Sequence, residues 1–418
     1  MAAMKYSIVT FGCRVNQADS LRMEEEFHAN GAVGTSTSEA DVVVVNTCSV
    51  TASADQGARQ AIRRIARDNP SSRIVVTGCY ATRCEDDVRA LPNVVRVVRN
   101  GDKDRLVDSL PGRFADGDGP CGAAIEPGVA GRTAFTLRVQ TGCEERCSYC
   151  IIPSTRGRGR SVPIAAVLQE VARVAAAGFK EIALTGVHLG SYGRDLAPRT
   201  ALLELLRALD RLELDVVFRV SSLEPMDCTP GIVDVIAASG GRFAPHFHLP
   251  LQHCSDRLLA AMCRPYTLED YRRLVDAIHD RLPHASIGSD MIVGFPGETD
   301  ADFAANLAYL PDSPLTHLHV FPYSDRPGTP ASALRAKVDG IVTRERGLRL
   351  RAMGAELTRR FHAAQQGKVR PGLTLEDGTL VVTDNYLKVR IPAGLTRNER
   401  VNVRIEQAGN TLVGSVSP

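Results

Sequence analysis

Thr133-Ala-Phe-Thr-Leu-Arg-Val-Gln140-Thr-Gly-Cys143-Glu-Glu-Arg-Cys147-Ser-Tyr149-Cys150 is an apolar, β-branched run that breaks at a Thr-Gly turn into three cysteines spaced C-x3-C-x2-C. The run reads as a strand over 133–140. Three thiolates in one loop, with no fourth cysteine nearby, suit three irons of a 4Fe-4S cluster and leave the fourth iron open to a further ligand. Structural zinc takes four closed ligands instead. Downstream, strand-like runs recur at Glu181–Thr185, Val216–Val220, His246–Leu249, Ser286–Met291 and Leu315–Phe321, with helical stretches between them. Six such β/α steps predict a parallel, partly closed barrel whose working rim is built by the loops after the strands.

Upstream, Tyr6–Thr10, Asp41–Val45 and Arg73–Thr77 are short β-branched runs, each followed by an amphipathic stretch, which predicts βαβ units and a parallel sheet. A cysteine follows each run within three residues: Cys13, Cys48 and Cys79, at intervals of 35 and 31 residues. Parallel strands one repeat apart end on the same rim, where open α/β sheets bind ligands. Three thiols in phase with the repeat are therefore expected to converge. The remaining cysteines, Cys84, Cys121, Cys228, Cys254 and Cys263, read as plain packing thiols, with Cys84 the one worth testing.

The Gly- and Pro-rich stretch from Gly112 to Gly131 reads as a linker. Beyond the barrel, Ala331–Gln366 reads as a long Arg-rich helix. Short alternating runs at Thr379–Thr383, Leu387–Ile391, Arg400–Ile405 and Thr411–Ser415 then predict a small antiparallel barrel. The 418 residues thus divide into 1–111, a linker at 112–132, a barrel with trailing helix at 133–366, and a terminal module at 367–418. The net charge is only +2, yet from Arg335 to Arg370 ten Lys or Arg face three Asp or Glu, enough to neutralise several phosphates. No apolar run reaches the length of a membrane span, and the start at Met1 enters strand-like sequence without a signal-peptide pattern, so a cytoplasmic protein is expected.

The C-x3-C-x2-C loop with Tyr149 before its last cysteine resembles the signature of the radical S-adenosylmethionine (SAM) enzymes, in which the open iron chelates SAM. Thr185-Gly186 closing the second barrel strand, and Gly288-Ser-Asp290-Met-Ile292-Val-Gly294-Phe-Pro-Gly-Glu298 on the fifth, look like that family's SAM-contact motifs. Together with Cys13, Cys48, Cys79 and the terminal barrel, the whole chain is similar to the methylthiotransferases. The resemblance implies an α/β chain made of an N-terminal open parallel sheet, a central partial (β/α)6 barrel and a C-terminal antiparallel TRAM-like barrel that binds RNA. It also implies two 4Fe-4S clusters, one on Cys143, Cys147 and Cys150 and one on Cys13, Cys48 and Cys79. SAM contacts fall to Tyr149, Thr185, Gly186, Glu224, Gln252, Asp290, Ile292 and Gly294. The partners implied are tRNA and an electron donor such as a flavodoxin or ferredoxin.

Gly12-Cys13-Arg-Val-Asn16-Gln17, Asn46-Thr-Cys48-Ser-Val-Thr-Ala-Ser-Ala-Asp55, Leu184-Thr-Gly-Val-His188 and Ser221-Ser-Leu-Glu224-Pro225 look most like the branch acting on N6-threonylcarbamoyladenosine beside the tRNA anticodon. Three other readings stay open: methylthiolation of isopentenyladenosine, methylthiolation of a ribosomal-protein aspartate, and a non-catalytic RNA-binding metalloprotein. RNA contacts are expected from Arg156 and Arg158, just past the cysteine loop, the alternative for these arginines being pairing with carboxylates lining the barrel, and from Tyr386, Lys388 and Arg390. One departure is His253-Cys254 after Gln252, where many relatives carry two small residues; bulk there is expected to bear on the pocket.

Overall fold

The computed structural model describes residues 3–108, 126–127, 133–409 and 411–417. Only two residues of the expected linker at 112–132 fall among them, and Cys121 lies outside them. Contacts divide the chain into two compact units: Met1–Ile125 with Thr141–Gly159 and Ser324–Ser332, and Glu126–Gln140 with Arg160–Tyr323 and Ala333–Pro418.

The first unit is built on a five-stranded parallel sheet of β1 (Lys5–Thr10), β2 (Val33–Gly34), β3 (Val42–Thr47), β4 (Arg73–Gly78) and β5 (Val94–Val98), in the order β2-β1-β3-β4-β5. Helices α1 (Arg14–Ala29) and α2 (Ala52–Asp68) cover opposite faces. Strand alternation sends Val42 and Val44 against Met23 and Phe27 of α1, and Val43 and Val45 against Ala58, Ile62 and Ile65 of α2. Burial on both faces explains why β3 reads as an unbroken apolar run. The chain leaves β1 for β2 on one side and reaches β3 on the other, so the strand order reverses beside β1 and opens a crevice at the C-terminal rim. Short helices α3 (Cys79–Arg83), α4 (Glu85–Arg89) and α5 (Ile152–Arg156) complete this unit.

In the second unit, β6 (Phe135–Arg138), β9 (Glu181–Thr185) and β10 (Val217–Val220) form one parallel sheet; the short strands β7 (Gln140–Thr141) and β8 (Arg160–Ser161) bracket α5 in the chain. A second parallel sheet comprises β11 (His246–His248), β12 (Ser286–Val293) and β13 (His317–Pro322). A parallel bridge from Phe218 to Phe243 joins the end of the first sheet to the approach to the second, giving the expected partial barrel. Around it pack α6 (Ile164–Ala176), α7 (Leu202–Asp210), α8 (Pro230–Ala238), α9 (Asp256–Ala261), α10 (Leu268–Arg281), α11 (Asp300–Tyr309) and α12 (Gly340–Gln365). The long helix starts at Gly340 because the Asp339 carboxylate caps the Ile341 N–H at 2.7 Å.

The terminal module is a closed barrel of β14 (Val369–Leu375), β15 (Leu380–Thr383), β16 (Lys388–Arg390), β17 (Arg400–Ala408) and β18 (Thr411–Ser417) around Val381, Val389, Val403, Ile405 and Leu412. Strand β14 escaped the sequence reading because Pro371-Gly372 is a turn signal. Here Gly372 makes room for β15, since a Cβ on it would lie 2.4 Å from a Val381 methyl carbon. The module is tied to the central barrel by fully buried Arg219 of β10. Arg219 pairs with Glu181 at 2.9 Å and donates to the Asp384 carbonyl at 2.9 Å.

Candidate active site

Strands β1, β3 and β4 are neighbours, and the three expected cysteines stand at their C-terminal ends. Cys13 caps α1, Cys48 directly follows β3, and Cys79 opens α3. Cys48 and Cys79 are buried, while Cys13 is exposed. Burial, with the neighbouring thiols of Cys13 and Cys79, pushes the Cys48 thiol up to about 11. The register, with Thr10 beside Asn46 and Thr47 beside Gly78, places the three in one crevice. Two glycines make the convergence possible. Gly12 and Gly78, each just before a cysteine, have φ of +95° and +98°; a Cβ on Gly12 would lie 2.6 Å from the Cys48 sulfur, and one on Gly78 would lie 2.1 Å from the Thr47 carbonyl.

Two charge triads surround these thiols. Asp19, buried, is paired with buried Lys103 at 2.9 Å and with Arg156 at 3.3 Å; Asp55 is paired with Arg83 at 2.5 Å and with Arg326 at 3.0 Å. The Asp55 triad holds two guanidinium cations and one carboxylate and so carries a net positive charge, while in the Asp19 triad burial lowers Lys103 from the usual amine range. Burial alone would lower Arg156, but Cys79, Asp19 and Cys13 outweigh it and raise it, with a guanidinium N–H directed at Cys79. Arg326 also donates to the Ser49 carbonyl at 2.6 Å, holding the backbone just past Cys48. Buried cations beside convergent thiols fit an anionic thiolate-ligated cluster, which would otherwise be costly to bury.

The C-x3-C-x2-C loop belongs to the same unit. Its backbone is pinned where the Cys143 N–H donates to the Gly157 carbonyl at 3.0 Å and the Cys150 N–H to the Cys147 carbonyl at 3.1 Å; the Glu145 N–H donates to the Cys143 sulfur at 3.4 Å. Helix α5, immediately after the loop, packs on α3, the helix that Cys79 opens. Asn100 links the two by donating to the Thr155 carbonyl at 2.9 Å and lying 3.6 Å from the Cys79 sulfur. Among the described residues no two cysteines are joined by a disulfide. Backbone donors aimed at sulfur and an exposed flank suit a loop-bound cluster.

In the second unit, Thr185 is buried at the end of β9, and Gly186 leaves space for Gln140, whose side-chain oxygen accepts the His188 N–H at 2.9 Å. Gln252 sits at φ +73°, locked by its N–H to the Asp290 carbonyl and by its own carbonyl to the Ile292 N–H, both at 2.8 Å. A non-glycine residue held there stores strain, which is characteristic of ligand sites. The Gly294 N–H donates to Glu298, which is held by Arg346 at 3.2 Å, and Glu224 pairs with buried Arg264. His253 and Cys254 turn inward. Asn306 bonds the His253 ring at 3.1 Å and accepts the Cys254 N–H at 2.9 Å, and burial pushes the Cys254 thiol far up, as for a packing thiol.

Of the expected RNA contacts, Arg158, Lys388 and Arg390 are exposed; the Arg158 side chain lies 3.8 Å from Glu144. Arg156 is a correction: it is 6% exposed, because α5 turns it onto Asn16 and Asp19 instead of outward. Tyr386, partly exposed, packs on His246 with ring centres 4.6 Å apart and planes tilted by 42°, and lies under the Arg219 guanidinium at 5.0 Å. The sequence reading missed a set on β11 to β13. His248 Nε2 and His319 Nδ1 lie 3.0 and 3.3 Å from Asp290 Oδ1, with His246 and His317 beside them. The two His-x-His doublets, His246-Phe-His248 and His317-Leu-His319, were the available signal, since alternation puts both members of each doublet on one face.

A parallel half-barrel together with a three-cysteine loop defines an iron–sulfur enzyme of the radical SAM class, and residues 137–310 match the Radical SAM superfamily. Residues 5–99 match the Uncharacterized protein family UPF0004. Over 403 residues the chain is 35% identical to a threonylcarbamoyladenosine tRNA methylthiotransferase MtaB of Aquifex aeolicus (strain VF5), covering 93% of this chain and 96% of the relative. It is 33% identical over 431 residues to a tRNA-2-methylthio-N(6)-dimethylallyladenosine synthase of Sphingopyxis alaskensis, covering 98% and 97%. Among solved structures, the radical SAM methyltransferase TsrM from Kitasatospora setae superposes with a TM-score of 0.56 at 19% identity, over 79% of this chain and 77% of that one, a likeness of fold. The chain belongs to the radical SAM methylthiotransferase family, whose enzymes use 4Fe-4S clusters and SAM.

Proposed function

We propose that this chain methylthiolates C2 of N6-threonylcarbamoyladenosine next to the tRNA anticodon, in the cytoplasm. The observation that supports the reaction most strongly is the convergence of Cys13, Cys48 and Cys79 at one sheet rim, with compensating cations and within the unit that also holds the three-cysteine loop. The substrate is favoured by the near full-length similarity to threonylcarbamoyladenosine methylthiotransferases.

In this reading, Cys143, Cys147 and Cys150 hold one cluster and Cys13, Cys48 and Cys79 the other. When bound, the clusters supply the electron that cleaves SAM and the sulfur that is methylated, chemistry beyond the reach of side-chain bases at an unactivated aromatic C–H. Arg156, Lys103 and Arg326 neutralise the charge brought in by the thiolates and fix the loops that carry them. Gly186, Gln252, Ile292 and Gly294 shape the wall for SAM, with Tyr149, Thr185 and Glu224 as further SAM contacts. Residues 367–418 bind tRNA through Arg390 and Lys388, assisted by Arg158 past the loop; an unpaired base of the anticodon loop can be splayed into a protein pocket. A small redox protein such as a flavodoxin or ferredoxin delivers the electron.

The test is turnover by the anaerobically reconstituted enzyme with SAM, reductant and synthetic anticodon stem-loops. Product should form on the stem-loop carrying N6-threonylcarbamoyladenosine and not on the one carrying isopentenyladenosine. The reverse preference, or methylthiolation of a ribosomal protein alone, contradicts the proposal.

A further inference from the structure

Across β11, β12 and β13 the register sets His248 beside Gly288 and Gly288 beside His317, and Asp290 beside His319. Leu318, between the two β13 histidines, faces α12: a Cβ on Gly354 of that helix would lie 3.1 Å from it. The imidazoles and Asp290 therefore occupy the face turned away from the helix layer, the hollow of the half-barrel. Gly288 is needed beneath them, since a Cβ there would lie 2.1 Å from His317 Nε2.

A single oxygen of Asp290 takes both His248 Nε2 and His319 Nδ1. The 1,3 placement of imidazole nitrogens then directs the second nitrogen of each ring away from the carboxylate. The set is graded from inside to outside, with side-chain exposures of 14% for His248, 26% for Asp290 and 56% for His319. Phe321, one strand step further, is 42% exposed with its ring centre 6.5 Å from His319, an apolar wall beside the polar cluster.

We propose that His248, Asp290 and His319 form a subsite that binds the carboxylate-bearing amino-acid substituent of the substrate adenosine. The inference rests on the proposed function and names the residues that read its substrate. Burial favours the neutral form of Asp290, but its two imidazole partners outweigh that and hold it well below the usual carboxylate range, while the same contact raises His319. With Asp290 taking one N–H of each ring, a ring that carries a second proton presents an N–H donor away from the carboxylate, suited to an anion. An isopentenyl group offers nothing to the outward ring nitrogens, whereas a threonylcarbamoyl group offers a carboxylate, a hydroxyl and a urea to pair with them. Two histidines and a carboxylate also match a divalent-metal triad.

The test is stem-loop affinity at fixed salt for the reconstituted holoenzyme, read as the ratio between RNA carrying N6-threonylcarbamoyladenosine and RNA carrying plain adenosine. The expected result is a wild-type preference that falls at least about tenfold in His319→Leu and His248→Phe. It should fall equally for wild-type protein when the threonine carboxylate is a methyl ester, a comparison that needs no variant to fold. A preference for the acid that survives esterification and both substitutions overturns the subsite and leaves the proposed function standing. A wild-type preference for isopentenyladenosine, or none, overturns the proposed function and the subsite with it. About one zinc per holoenzyme, absent from both variants, assigns the triad to a metal and also overturns direct reading.

Discussion

The Arg156 guanidinium lies 3.3 Å from the Asp19 carboxylate, and both are buried beside Cys79. Arg156 follows Cys150 by only six residues, so this pair ties the peptide that leaves one cysteine set to the pocket of the other. The cation is held between a carboxylate and a thiol, where its charge acts at full strength in a poorly screened interior. Replacing Arg156 by Met should lower the reduction potential of the Cys13/Cys48/Cys79 cluster by on the order of 100 mV, followed by redox titration with electron paramagnetic resonance. An unchanged potential would reduce Arg156 to a packing residue.

Gly78 tests whether the crevice is set by the backbone. At φ +98° with the Thr47 carbonyl where a Cβ would stand, Gly78→Ala forces β4 and Cys79 apart from β3. Reconstituted iron should fall from about eight per chain to about four, with SAM cleavage retained. Full iron loading would show that the ligand set tolerates the shift.

How much of this was legible beforehand depends on range. The cysteines declared themselves because their spacing copies the βαβ repeat, and a repeat is a local property that survives in sequence. The partners of Arg156 did not, because Arg-Gly-Arg-Gly-Arg reads as an exposed basic loop or as one paired with barrel carboxylates until α5 is known to turn its last residue onto Asn16 and Asp19, 140 and 137 positions away. The His248, Asp290 and His319 set was legible only in part: the His-x-His doublets show which histidines share a face, but the members lie on three strands, and only the register of β12 between β11 and β13 brings them together. Strand β14 was hidden by its own Pro and Gly.

The terminal barrel carries two separable roles. Buried Arg219 grips Glu181 and the Asp384 carbonyl, so Arg219→Leu should cost about 3–5 kcal/mol of stability, as for breaking a buried ion pair, measured by denaturant unfolding. Lys388 and Arg390 are instead exposed. Replacing both by Gln should leave stability within about 0.5 kcal/mol and flatten the salt dependence of tRNA binding by about 0.7–0.9 log units for each phosphate no longer neutralised. An unchanged slope would mean that the module only buttresses the fold.

His317 makes stability depend on pH. Burial, aided by the charges of His248 and His319, lowers it from 6.5 to about 4, so the folded chain keeps it neutral where the unfolded chain takes up a proton. The contribution is fully present above pH 6.5 and declines as pH falls toward 4, by up to about 3 kcal/mol. His317→Gln should remove that part of the acid sensitivity, read as the difference in unfolding midpoint between pH 7.5 and 5. Parallel curves for the two proteins would show that His317 titrates normally.

The central claim, methylthiolation of threonylcarbamoyladenosine through two cysteine-held clusters, is tested most directly by nucleoside mass spectrometry of tRNA from a strain lacking this chain. Cells complemented with the wild type should contain the 2-methylthio derivative of N6-threonylcarbamoyladenosine. Cells complemented with Cys48→Ala or Cys147→Ala should accumulate the unthiolated nucleoside in its place. The same methylthio nucleoside at wild-type level in the strain lacking the chain, with loss of a methylthio group from isopentenyladenosine or from a ribosomal protein, would contradict it.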